Sequence, residues 1–312
     1  MSVLRKRLKK IKLIRNIHNY YVQVCIHMQR WYSRAIYAIS PVLASKYFYR
    51  RVTGKHLNLK RPHDLNEKLQ WLKLYWQNPL VAKCTDKYEV REYALTCGCE
   101  EILNRLYGIY EHSSEIDWSK LPNNFALKCT HGCGYNIICD DKDRLDKDEA
   151  LAKLNEWMKI RYDRLFVEIH YSQVKPRIIC EQYLETNAGL LPNDYKVYCF
   201  NGKPELVLVC SDRASDLKLD FVDLNWQRMN IGAEKYSSGE VPKKPDCLDA
   251  MIYYAEKLAP PFPFVRIDFY DYNGKPILGE MTFTPAGCAA TYYNETGLKR
   301  LGEMLQLPSR YR

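Results

Sequence analysis

Near the N-terminus apolar residues recur three or four apart, at Leu4, Leu8, Ile11, Ile14, Ile17 and Tyr21, with Arg5, Lys6, Arg7, Lys9, Lys10, Lys12 and Arg15 between them. That period predicts a basic amphipathic helix. Its apolar runs fall short of the ~18 to 20 residues needed to span a bilayer, so against a membrane it would lie along the surface. Trp31, Tyr32, Tyr37, Tyr47, Phe48 and Tyr49, followed by Arg50 and Arg51, extend a composition that favours an interface. The other reading is a helix packed on its own domain with its lysines in solvent.

Asp64-Leu-Asn-Glu67 has the form of a capping box and predicts a helix through Trp76, ended by Asn78-Pro79. A second helical stretch runs from Asp86 to Cys97 and stops at Gly98. The pattern then changes. Phe125 to Thr130 reads as a strand, His131 to Asn136 as a glycine-rich turn and Ile137 to Asp140 as a second strand. An amphipathic helix is expected over 144–160, a strand over 177–185, a hairpin over 195–210 and a helix over 248–258. Helix-rich sequence, then mixed elements, then hairpins predict an α+β architecture with antiparallel sheets.

One hairpin, Val265 to Pro285, carries charges inside its strands, where charge is depleted. Read as a three-residue Tyr272-Asn273-Gly274 loop with a G1 bulge, the turn sets Asp271 against Lys275, Asp268 against Leu278 and Arg266 against Glu280. Arg266, Asp268, Glu280 and Thr282 then share one face, and Val265, Ile267, Phe269, Ile277, Met281 and Phe283 the other. A two-residue Asn-Gly loop would part the two carboxylates. The polar face is either a solvated surface with a cross-strand ion pair, or a site where a hard divalent ion sits between two acids.

Charge and cysteine narrow the class. Of 312 residues with a net charge of +10, the first 63 hold fifteen Lys or Arg and no acid, leaving 32 basic against 37 acidic residues in the remainder. A mildly acidic body behind a basic arm argues against nucleic acid, whose ligands spread positive charge over the folded body. Twelve cysteines without a secretory signal read as reduced thiols in a cytoplasmic protein. Cys97, Cys99, Cys129, His131 and Cys133 lack the paired spacing of a zinc site. Lys128, on the strand directly before His131-Gly132-Cys133-Gly134, resembles part of a phosphate-binding loop, although it is not a Walker motif. With an arginine and two acids on a later hairpin, it describes a nucleotide held between two sheets.

The stretches DLNEKLQWLKLY, DKYEVREY, LPNNFALKCTHGCGYNII, KPRIICEQYL, DYKVYCFNGKP and FPFVRIDFYDYNGKPILGEMTFTPAG, spread over residues 64–287, resemble the ATP-grasp superfamily and specifically its TupA-like branch, named for teichuronopeptide biosynthesis. The resemblance implies an ATP-grasp fold of two α+β subdomains with ATP between their antiparallel sheets. It divides the chain into a basic arm (1–60), a helical part (61–122), a small subdomain with the glycine-rich loop (123–185) and a large subdomain with the metal-binding hairpin (186–312).

By the same resemblance Lys87 and Lys128 would meet the nucleotide phosphates, and the turn with His131, Gly132, Gly134 and Asn136 would close over them. Glu181, Tyr183 and Leu184 are similar to the adenine hinge. Asp194 falls at the ribose-binding acid and Lys196 near phosphate or substrate. Asp268, Glu280 and Thr282 would hold Mg2+, and Arg266 would stabilise the transferring phosphoryl group. Thr282 stands where the superfamily usually has Asn, and Cys133 where Ser is common.

The implied reaction activates a carboxylate with ATP and couples it to an amino acid or other amine. The branch suggests a uronic acid of a bacterial surface or capsular polysaccharide, presented as a glycan or as a nucleotide- or lipid-linked acceptor. The basic arm would then lie on the anionic inner membrane face. The rival is a glycosyltransferase, whose Asp-x-Asp spacing appears at Asp141-Lys-Asp143 and Asp146-Lys-Asp148.

Overall fold

Period-two alternation becomes two antiparallel sheets in the computed structural model, which describes residues 35–184, 193–211 and 217–309. The first sheet contains β1 (Leu106–Tyr110), β2 (Phe125–Cys129), β3 (Asn136–Cys139) and β4 (Ile178–Glu181), in the order β1-β4-β2-β3. The second contains β5 (Asp194–Phe200), β6 (Lys203–Ser211), β7 (Lys218–Asp223), β8 (Phe264–Tyr272) and β9 (Lys275–Thr282), in the order β7-β6-β5-β8-β9. The helices are α1 (Pro41–Thr53), α2 (Leu65–Tyr75), α3 (Pro79–Thr85), α4 (Glu89–Thr96), α5 (Lys147–Trp157), α6 (Leu248–Leu258) and α7 (Glu295–Met304). The predicted amphipathic helix from Leu4 to Tyr21 lies outside the described residues.

Local chemistry fixes most boundaries. The Asp64 carboxylate accepts from Glu67 N at 2.9 Å, and Glu67 reaches back to His63 N at 2.9 Å, so α2 starts where the capping pattern predicts. Asn78-Pro79 ends one helix and also begins another. Asn78 caps α3 through a 2.9 Å bond to Leu80 N, with proline at its first position. The second predicted helix starts later, at Glu89, because the Asp86 carboxylate folds the chain by accepting from Tyr88 N and Glu89 N.

The five-stranded sheet is packed on both faces. Val197, Val207, Val265, Ile267 and Phe269 bury against α4 and α6. On the opposite face Tyr198, Phe200, Leu206, Leu208 and Phe264 bury against α2 and α7. In the four-stranded sheet Phe125, Leu127, Cys129, Ile178 and Cys180 pack with Leu154 of α5. Phe48 and Tyr49, read from the sequence as part of an interface-seeking arm, are turned onto the body. Tyr49 is only 2% exposed and clusters with Leu57 and Ala289, while Phe48 meets Phe166 edge-on at 5.8 Å.

The β8–β9 turn corrects the sequence reading. Tyr272 pairs with Lys275, so the loop is the two-residue Asn273-Gly274, with φ of 54° and 74° as a type I′ turn requires. Left regular, that turn would put Glu280 opposite Ile267. Instead the register shifts between Asp268 and Phe269, where Gly279 is the extra residue of a bulge. Asp268 therefore faces Glu280 and Arg266 faces Thr282, and Leu278 rather than Ile277 joins the core. A Cβ on Gly279 would lie 3.0 Å from the Tyr270 ring and 3.2 Å from Asp268 O, which explains the glycine.

Candidate active site

On the α2 face of the second sheet, same-face residues change from apolar to charged along each strand. In β5 Phe200 and Tyr198 give way to Lys196 and Asp194, and in β8 Phe264 gives way to Arg266 and Asp268. The helices cover the apolar half. The charged half stays inside the protein without them, so its groups must satisfy one another.

Arg266 is the centre of that network. Its Nε and Nη2 donate to the two oxygens of Asp268 at 2.7 and 2.6 Å, and Nη2 also reaches Thr282 Oγ1 at 3.2 Å and Glu280 Oε1 at 3.5 Å. Lys196 Nζ donates to Asp194 and Asp268 at 2.5 Å each. Lys87 Nζ lies 4.0 Å from Glu280 and donates to Gly132 O at 2.6 Å, which ties the hairpin to the glycine-rich turn. On the first sheet Lys128 donates to Glu181 at 2.8 Å, and Arg91 approaches the same carboxylate at 3.5 Å.

These contacts set the charge states. Burial works against ionised Glu280, but Lys87, Arg266, Lys196 and the Thr282 hydroxyl outweigh it and hold the carboxyl down to about 2. Burial likewise opposes the Lys196 ammonium, yet Asp268 and Asp194 raise its pKa. Burial pushes the Asp268 carboxyl up, with Arg266 and Lys196 opposing.

The sequence-predicted residues divide into groups. Arg266, Asp268, Glu280, Thr282, Lys196, Asp194 and Lys87 come together in one network, and Lys128 pairs with Glu181 on the facing sheet. Tyr183 and Leu184 follow Glu181 and are half-buried. His131 is turned inward: it is 3% exposed, its Nε2 lies 3.1 Å from Trp157 O, and its ring packs near Tyr135. Gly132 is glycine for packing, because a Cβ there would strike the Tyr135 and Tyr162 rings at 2.6 and 2.7 Å. Gly134 takes φ of 79° with open space around it, and Asn136 is exposed at the start of β3.

Asp268, Glu280 and the Thr282 hydroxyl form an all-oxygen donor set, which suits a hard ion such as Mg2+. The cations around Glu280 keep it ionised, while both oxygens of Asp268 accept from Arg266 and Lys196, contacts that a bound Mg2+ would have to share, so the fit lies in the type of donor. Among the described residues no three Cys, His, Asp or Glu side chains gather as a metal site, and the cysteine–histidine alternative forms none. The Asp-x-Asp stretches have structural work. Asp140 and Asp141 pair with Arg144, and Asp146 caps α5 through Glu149 N at 2.9 Å.

A cavity of about 380 Å³ opens beside Arg266, Glu280 and Thr282. It is also lined by residues without a sequence signal, among them Phe166, Glu168, Tyr171 and Thr284, and by Phe48 of the aromatic run in the arm. Lys73 ties two of its loops together by donating to Phe166 O at 3.2 Å and Gly287 O at 3.3 Å. Val167, beside Glu168, has φ of 59°, a rare conformation for a β-branched residue. Cys133 also lines the cavity.

Two antiparallel sheets with lysines on each, and an arginine set between paired acids on a hairpin, define an ATP-grasp protein. Within that class the chain belongs to the TupA-like ATP-grasp family, whose model matches residues 67–306. Members of the superfamily are ATP-dependent ligases that form amide bonds. Among solved structures the chain is similar to an L-amino acid ligase from Bacillus licheniformis, at 13% identity and a TM-score of 0.41, over 64% of this chain and 42% of that one. It is similar also to D-alanine–D-alanine ligases from Bacillus anthracis (13% identity, TM-score 0.40, 78% and 69% covered) and Helicobacter pylori (13%, 0.43, 79% and 68%). The chain thus spans between 42% and 69% of the lengths of these proteins. No curated protein matches its sequence.

Proposed function

We propose that the protein is an ATP-dependent carboxylate–amine ligase whose carboxylate is a uronic acid of a bacterial surface polysaccharide and whose nucleophile is an amino acid or another amine. The observation that carries the chemistry is Arg266, held by Asp268, Glu280 and Thr282 at the mouth of a substrate-sized cavity. The polysaccharide link rests on the resemblance to the teichuronopeptide branch.

Lys87, Lys128 and Lys196 would bind the nucleotide phosphates, while the chain after Glu181 reads the base. Arg266 would stabilise the negative charge that develops as the substrate carboxylate attacks the γ-phosphorus, giving an acyl phosphate and ADP. The amine then displaces phosphate, forming the amide and releasing a proton. Asp268, Glu280 and Thr282 would hold Mg2+, which neutralises phosphate charge. The basic arm fits a protein lying on the cytoplasmic face of the inner membrane, beside a lipid-linked acceptor. No described helix is long and apolar enough to cross a membrane.

The test is ADP release that depends on both a uronic acid and an amine. Asp268→Asn and Glu280→Gln preserve shape while removing one charge each, so Mg2+-dependent turnover should fall by about a hundredfold. Rates near the parent's, or release of UDP from a sugar nucleotide, would defeat this reading.

A further inference from the structure

The cavity beside Arg266 is lined by two carboxylates, Glu280 and Glu168. Glu168, in the chain between α5 and β4, is 5% exposed and lines this space. Among the described residues its side chain accepts a hydrogen bond from the Thr284 hydroxyl at Oε1. Among the described residues no Lys, Arg or His nitrogen forms an ion pair with it. The nearby Lys73 ammonium instead donates to the Phe166 and Gly287 carbonyls. His170, also buried, has its pKa pushed down to about 3 by burial and by Lys73, so it is neutral and supplies no countercharge.

An acid taken from water without a countercharge is unfavourable for the folded chain. Burial accordingly pushes the Glu168 carboxyl up to about 7, with Glu280 adding to the rise and Thr284 and Lys73 opposing it. A buried carboxyl at the edge of a cavity, with Lys73 nearby but no direct ion-pair partner among the described residues, can take a cation brought by a ligand. The walls are aromatic, with Phe48, Tyr162, Phe166 and Tyr171 among the lining residues, and the Phe48 ring already lies under the Lys73 ammonium at 5.7 Å.

We infer that Glu168 anchors the ammonium group of a primary amine, making the Glu168–Phe166–Tyr171 side of the cavity the amine subsite. This inference rests on the ligase reading for its place in the reaction, but not for the binding itself.

The test uses the full chain, a non-hydrolysable ATP analogue, Mg2+ and a panel of the proteinogenic amino acids with ethanolamine and 1,3-diaminopropane. Calorimetry should find an amine that binds the parent, and Glu168→Gln should weaken that binding about tenfold or more while leaving analogue affinity unchanged. Gln keeps the shape and the Thr284 bond. Without amine, Glu168→Gln should melt no lower than the parent, since it removes an uncompensated charge.

The inference is overturned if no amine of the panel binds the parent, if Glu168→Gln binds it equally well, or if that variant melts well below the parent, which would mark a structural acid. Glu168-dependent amine binding without ADP release would sink the ligase reading and leave the amine subsite. Amine-dependent ADP release whose amine KM is unmoved by Glu168→Gln would do the reverse.

Discussion

Glu168 and Glu280 line the same cavity, yet their surroundings move them in opposite directions. Glu280 has Lys87, Arg266 and Lys196 about it and falls to about 2, whereas Glu168 has one hydroxyl and rises to about 7. The consequence for stability has opposite signs. Below pH 4.5 Glu168 is protonated in folded and unfolded chains alike and contributes nothing. As pH rises from 4.5 to about 7 only the unfolded chain ionises readily, so the folded state loses ground by at most about 1.4 kcal/mol per pH unit and then levels off. Glu280, with its depressed value, stabilises the fold above its ordinary 4.5, and that contribution is lost as pH falls towards 2. His170, held neutral by burial with a pKa of about 3, acts in the opposite sense up to 6.5, so the prediction concerns the difference between two proteins: in urea melts without ligand, Glu168→Gln should gain on the parent as pH rises from 4.5 to 7. An identical slope in both proteins would contradict the assigned environment of Glu168.

Between the two acids of the hairpin the deciding feature is a glycine outside the turn. Asn273-Gly274 alone would send Glu280 to the core face, and the bulge at Gly279 restores it opposite Asp268. The β5–β6 hairpin uses the same plan. Its Asn201-Gly202 turn also has positive φ at both residues, and Glu205 is the extra residue between pairs Cys199–Pro204 and Tyr198–Leu206. An unusual ordering of variants follows. Deleting Gly279 removes the extra residue and leaves Glu280 opposite Asp268, so Mg2+-dependent ATP binding should survive. Gly279→Val adds a branched side chain against Tyr270 and Asp268 O, favours regular pairing, and should cost about 1 to 3 kcal/mol in stability along with ATP binding. Calorimetry and thermal melts on the pair decide it. Equal loss in both would mean the bulge itself, not the register, is what the site needs.

The arm and the body meet at α1. Residues 1–34 hold nine Lys or Arg and no acid, and near an anionic leaflet each contributes about 1 kcal/mol. Removing 1–34 should abolish flotation with anionic liposomes and leave ATP binding intact. Removing 1–56 should do more, because it strips Tyr49 from the core and Phe48 from the cavity wall. That longer truncation is expected to melt lower and to lose amine binding. Flotation equal with neutral vesicles, or none at all, would end the membrane reading.

Wherever function follows a local period, the sequence alone determined it. Alternation placed Arg266 with Asp268 on one strand face, capping chemistry started α2 at Asp64, and the stretches from 64 to 287 identified the family. Strand faces were legible because a side chain's side depends only on its neighbours' backbone geometry. Tertiary structure decided the rest. Glu280 reached the polar face through a bulge that a turn motif does not encode, His131 turned inward because Trp157 O and Tyr135 receive it, and α1 folded onto Ala289. The cavity joins Phe48, Glu168, Arg266 and Thr284, residues more than a hundred positions apart at its extremes and on no shared period. Such adjacency comes from packing helices and loops on sheets and from bonds like those of Lys73 to Phe166 and Gly287, whose partners are chosen only once the chain is closed.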